Sequence, residues 1–182
     1  QQVVAVDLLA AQTWRALWLA NVASFLSGGK YPDGRTRPLP VVVDDIVERF
    51  EPECRLSRLR FKVLHSGATA PHVGDGPVGF ALTSAIIVTL ALLEPGGEPA
   101  LDIHTQALGE RGFVIEVVQR HSFVSRETAE RFSNQPLSAP AAGNTGLGAL
   151  ALSHVTALYG GASELLVTDE PGSTLRLTFA HF

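Results

Sequence analysis

The residues best suited to chemistry lie at 143–148, where Gly143-Asn144-Thr145-Gly146-Leu147-Gly148 runs straight into an apolar stretch that ends at Gly160-Gly161. Glycines ahead of a helix let the backbone approach a ligand closely, and the unbonded N–H groups and positive helix end then favour a phosphate. A plain turn has the same composition, so the loop by itself leaves both readings open. Other chemistry finds little support: there is no H-x-x-x-H or C-x-x-C spacing, no G-x-S-x-G elbow and no Walker A motif. Asp44-Asp45 and Glu51-x-Glu53 read as helix-start and surface charges rather than catalytic pairs.

The elements that must carry this loop follow from periodicity. Residues 1–26 lack proline and glycine, and Val4, Ala11, Trp18 and Phe25 recur every seven residues, with Leu8 and Val22 offset by four. Arg15 interrupts the second row, and Ser27-Gly28-Gly29 supplies the stop. Such a helix either packs on its own domain or pairs with a helix of a second subunit. Residues 30–39, rich in proline, glycine and charge, read as a linker. Beyond it the pattern predicts helices at 41–50, 78–93, 126–132 and 147–159. It predicts strands at 58–64, 100–105, 112–119, 165–168 and 174–180, the last four forming two hairpins. That order suits a two-layer α/β sandwich, a mixed sheet with helices on one face.

Composition narrows the function. The net charge of −4 gives no general attraction to nucleic acid or anionic membranes. Arg58, Arg60 and Lys62 alternate with Leu59, Phe61 and Val63, as on a strand with one wet face, and Arg55 precedes them. One cysteine, Cys54, excludes an intrachain disulfide framework and fits a reducing cytosol. No uninterrupted apolar run reaches the ~18–20 residues of a membrane span. The longest, 81–93, contains Thr83, Ser84 and Thr89 and reads as a core helix. No signal peptide is visible, and the absence of methionine suggests a piece of a longer chain.

Thr145-Gly146-Leu147-Gly148, a helix, Gly160-Gly161, a strand, Pro171-Gly172-Ser173-Thr174 and a last strand resemble the end of the catalytic/ATP-binding domain of sensor histidine kinases, in the GHKL superfamily. That family reads T-G-L-G-L, helix, G-G, strand, G-(S/T)-x-F, strand. Upstream, His72-Val73-Gly74-Asp75 is similar to the lead-in of the helix carrying the family's N box, whose two asparagines then fall on Ala85 and Thr89. The adenine-binding D-x-G-x-G box falls on Gln119, His121 and Phe123, and Glu130-Arg131-Phe132 resembles the start of the ATP lid. The resemblance covers residues 40–182, so the expected organisation is an N-terminal helix at 1–29 that reads as part of a dimerisation hairpin, the linker at 30–39 and that domain.

The resemblance implies ATP and Mg2+ as cofactors, with Gly143, Thr145, Gly146, Leu147 and Gly148 on the phosphates, Thr89 toward the metal and Gln119 toward the adenine. The replacements argue against both. A threonine hydroxyl is a poorer Mg2+ ligand than an asparagine amide. Glutamine lacks the charge of the family's aspartate, and Phe123 in place of a glycine would plug the pocket. No histidine occurs in residues 1–30, and none of the six is followed by an acidic residue, so the expected phosphoacceptor is missing. The leading expectation is a degenerate catalytic domain of a two-component sensor kinase, cytoplasmic, a homodimer through its N-terminal helix and a partner of a response regulator or another kinase. The alternatives are an active ATP-dependent kinase fragment and a non-enzymatic phosphotransfer or scaffold protein with a kinase-like fold.

Overall fold

The computed structural model describes residues 2–28, 34–67, 70–94, 99–109, 112–132 and 147–180. The elements in chain order are α1 (Gln2–Leu26), β1 (Thr36–Pro38), α2 (Leu39–Arg49), α3 (Glu51–Ser57), β2 (Arg60–Ser66), β3 (His72–Gly74) and α4 (Asp75–Ala91). They continue with β4 (Ala100–Leu108), β5 (Gly112–Gln119), α5 (Arg126–Arg131), α6 (Leu147–Leu158), β6 (Ala162–Val167) and β7 (Ser173–Phe179).

Five strands form a mixed sheet in the order β2-β4-β5-β7-β6, with β2 parallel to β4 and the other pairs antiparallel. Alternation along the three central strands turns Leu101, Ile103, Phe113, Ile115, Val117, Leu175, Leu177 and Phe179 to one side, where all are buried. α2, α4 and α6 cover that side, giving the expected two-layer sandwich. A separate antiparallel ladder pairs β1 with β3, so Thr36–Pro38 of the expected linker joins the domain directly. α4 is apolar nearly all round, which suits a helix enclosed on several sides: Leu82, Ala85 and Ile86 are wholly buried.

A further covering element is α1, which lies on the outside of the helical layer. Its inner stripe is Asp7, Ala11, Trp14, Trp18, Val22 and Phe25, at helical spacing. Trp14 packs edge-on against Phe50 at 4.5 Å between ring centres, and Phe25 meets Phe80 at 5.9 Å. Ala11, Trp18 and Val22 are buried as their spacing suggests, whereas Val4 and Leu8, expected in the same rows, face solvent. Arg15, the interruption in the pattern, turns to Glu53 of α3 at 3.4 Å. Asp7 accepts two hydrogen bonds from the Arg55 guanidinium, at 2.7 and 2.9 Å.

Those two are the charged residues of α1. The helix is therefore long and apolar enough, over Val3–Leu26, to cross a membrane by length and composition. Counting only unbroken apolar runs had excluded this, because Asp7 and Arg15 divide the stretch.

Candidate functional site

The site implied by the glycine loop is assembled from the head of α6, the middle of α4 and the loop after β5. Gly143, Thr145 and Gly146 lie outside the described residues; Leu147 and Gly148 open α6. Gly148 is buried against α4 and α1. A Cβ on it would stand 2.9 Å from Cγ2 of Val88 and 3.2 Å from Cζ2 of Trp18. The space on the Cβ side of this glycine is thus filled by the Trp18 indole and Val88. Trp18 itself is 6% exposed, and its Nε1 donates to Oγ of Ser84 at 2.9 Å.

On α4, Ala85 is wholly buried and offers no side-chain donor or ligand atom. Thr89 is 1% exposed, and its hydroxyl donates to the Ala85 carbonyl at 2.8 Å, one turn back. This is the ordinary behaviour of threonine in an apolar helix. Among the described residues no group of three or more His, Cys, Asp or Glu side chains could hold a metal ion.

Gln119 closes β5 and is 1% exposed. Its Oε1 accepts from the backbone N–H groups of His121 and Ser122, at 3.0 and 2.9 Å. Its Nε2 donates to the Ser122 carbonyl at 2.8 Å and to Oγ of Ser173 at 3.0 Å. A side-chain amide has two donors and two acceptor positions, and all four are used within the protein. The Ser122 hydroxyl in turn accepts from the Glu94 backbone at the end of α4, at 2.8 Å. The loop after β5 is therefore tied to itself, to β7 and to α4, and Gln119 has nothing left for an adenine.

His121 is exposed at the rim of a cavity of about 260 Å3 that also touches Arg15, Glu53 and Leu93. Phe123 is 56% exposed, so it does not plug a pocket as its place in the box suggested. Its neighbour Val124 takes the inward position, because the turn at Ser122 shifts the alternation. Phe132, by contrast, is buried in the core.

The residues that meet at the head of α6 are thus Trp18, Ser84, Val88 and Gly148. Trp18 and Ser84 were not among the expected site residues; the signal for Trp18 was its place in the heptad of α1, and Ser84 gave none. Among the described residues the donor set does not fit Mg2+-nucleotide: the Thr89 hydroxyl is buried against its own helix, Ala85 has no ligand atom and Gln119 is saturated.

No protein-family model matches the chain, and no curated protein matches it. Among solved structures, the Acinetobacter baumannii histidine kinase AdeS superposes with a TM-score of 0.66 at 10% identity, over 97% of this chain and 81% of that one. The catalytic domain of histidine kinase ThkA gives 0.66 at 14% identity, over 84% and 96%. Full-length ShkA in complex with AMPPNP gives 0.67 at 15% identity, over 97% and 37%. The fold is accordingly that of histidine kinase catalytic domains, the two-layer mixed-sheet sandwich that the glycine pattern implied.

Proposed function

We propose that the chain is the catalytic/ATP-binding domain of a two-component sensor histidine kinase that has lost ordinary nucleotide binding. It acts instead through contacts with a second copy and with a response regulator or another kinase, in the cytoplasm. The observation that carries this reading is the Gln119 amide, whose four hydrogen bonds hold its own loop in the place of the family's adenine acceptor. Thr89, its hydroxyl committed to Ala85, agrees.

The outer face of α1 supports the dimer. Val3, Val6, Leu9 and Leu17 are each more than 60% exposed, and both charges of the helix point the other way. An uncharged apolar helix face of this length is suited to another helix rather than to water.

Titration calorimetry with ATP and ADP, with and without Mg2+, tests the first part. Little or no heat at millimolar nucleotide is expected; micromolar, Mg2+-dependent binding would mean an active kinase fragment instead. Light scattering tests the second: the chain should be a dimer and Leu9→Glu a monomer, and a monomeric parent chain would refute the helix pairing.

A further inference from the structure

We propose that the cavity between α1, α3, the end of α4 and the loop after β5 binds a small organic cation, an ammonium on an apolar body, with Glu53 as its anchor. The proposal stands apart from nucleotide binding, since it uses neither the glycine loop nor the Gln119 amide.

The cavity holds about 260 Å3 and is walled by Leu59, Leu90, Leu93 and Pro99, with Glu53 and Ser122 buried in the same wall. Aliphatic surface with a few polar groups is the usual make-up of a small-molecule cleft, and this one is at the small end of the range.

Glu53 is the exception in that wall. Two carboxylates are buried among the described residues, Asp7 at 6% and Glu53 at 5% exposure. Asp7 accepts from the Arg55 guanidinium on both oxygens. Glu53 accepts one long hydrogen bond, from Nε of Arg15 to Oε1 at 3.4 Å, and its Oε2 is buried with no donor. The Arg15 guanidinium lies over the Trp14 ring, 5.9 Å from its centre. The Ser57 hydroxyl, also at the cavity, donates to the Glu53 main-chain carbonyl rather than to its carboxylate. A buried carboxylate oxygen without a donor is costly, and few native groups are left so.

An ionised carboxylate only accepts, so what Oε2 calls for is a donor. An ammonium gives a charge-assisted bond, about twice as strong as a neutral one. The leucine walls cover the rest of such a molecule. Arg15 and His121 also border the cavity, but neither reaches Oε2, and an anion held by them would face Glu53 and Glu94.

The test uses the full chain, with benzylamine and cyclohexylmethylamine as cations and benzyl alcohol as the uncharged match. Titration calorimetry gives the affinities, and leucine-methyl NMR gives the place. Both amines should bind and shift the methyl signals of Leu59, Leu90 and Leu93, with benzyl alcohol about tenfold weaker or more. Glu53→Gln keeps the shape and removes the charge. It should weaken both amines by about tenfold or more and leave benzyl alcohol unchanged.

Benzyl alcohol binding as tightly as benzylamine, amines held equally by Glu53→Gln, or shifts confined to other leucines would each overturn the proposal. So would the absence of any shift at millimolar amine, which would leave water as the partner of Oε2. Urea unfolding checks that the variant is folded; if it is not, the comparison of amine with alcohol in the parent chain decides. None of these results bears on the ATP titration, so failure here leaves the proposed function standing.

Discussion

Gly148→Ala discriminates most sharply between a glycine kept for a ligand and one kept for Trp18. Alanine is the better helix former, and at a helical position without crowding the change should stabilise the fold by roughly 0.5–1 kcal/mol. At Gly148 the new methyl would meet Val88 at 2.9 Å and Trp18 at 3.2 and 3.4 Å. Val88 is short and β-branched, and Trp18 is held by Ser84, so neither yields freely. Forcing an extra methyl into a packed core costs about 1–3 kcal/mol. The net change in the parent chain should therefore be a destabilisation of about 1 kcal/mol, with α1 loosened first.

In a Trp18→Ala background the indole is gone and Val88 can rotate into its space, so the same substitution should become neutral or stabilising. The coupling between the two sites is then about 1–2 kcal/mol, within the range for residues in contact. Urea unfolding of the four chains of the cycle, followed by circular dichroism, measures it. Both tryptophans of the chain lie on α1, so their emission follows that helix alone. Equal effects of Gly148→Ala in the two backgrounds, or stabilisation in the parent chain, would refute the assignment of Gly148 to Trp18.

Three further outcomes follow from the same geometry. Gln119→Asp, which restores the family's acid, should not restore nucleotide binding, and loses both donated hydrogen bonds in a buried site; a destabilisation of about 2 kcal/mol by urea unfolding is expected. Phe123→Ala should shift stability by no more than about 0.5 kcal/mol and leave nucleotide titrations unchanged, since the ring is exposed. The Arg55 hydrogen bonds hold the Asp7 carboxyl below its usual pKa, with Glu51 also facing that guanidinium. The docked form then binds fewer protons than the free one, so its Asp7 contribution is present above about pH 4 and is lost as the pH falls below that. Tryptophan emission should report α1 loosening on acidification, and Asp7→Asn should remove that step.

Periodicity made most of the fold legible. The three central strands alternate cleanly, so Ile103, Ile115 and Leu177 declared the buried side before any topology was known. α4 was recognisable as a core helix because it is apolar on every side. The short elements were not, because three residues of β1 or β3 carry no period. α3 was read only as an acidic pair, although its Glu53 is buried and its Arg55 anchors α1. The seat of α1 was half legible: Ala11, Trp18 and Phe25 fell on the right row, while Arg15 looked like an interruption and Asp7, which ties the helix to Arg55, carried no signal. Nothing in the spacing could show that Gln119 spends its amide on its own loop, since that depends on how the backbone turns at Ser122.

Among the described residues, the glycines that carry the family resemblance, Gly148, Gly160, Gly161 and Gly172, are explained by packing alone. Gly160 ends α6 with φ of 65°, and Gly172 has φ of 134° in the turn before β7, both in the region that favours glycine. A Cβ on Gly161 would collide with the Thr178 carbonyl. A Cβ on Gly148 would meet Trp18 and Val88. None of these requirements involves a nucleotide. A chain that stopped binding ATP would still need these four glycines to close α6 onto β6, to turn into β7 and to seat α1. The pattern is therefore evidence of a fold, and it persists for the fold's own reasons. Evidence of activity has to come from side chains that have hydrogen-bonding capacity to spare, and Gln119 and Thr89 have given theirs to the protein.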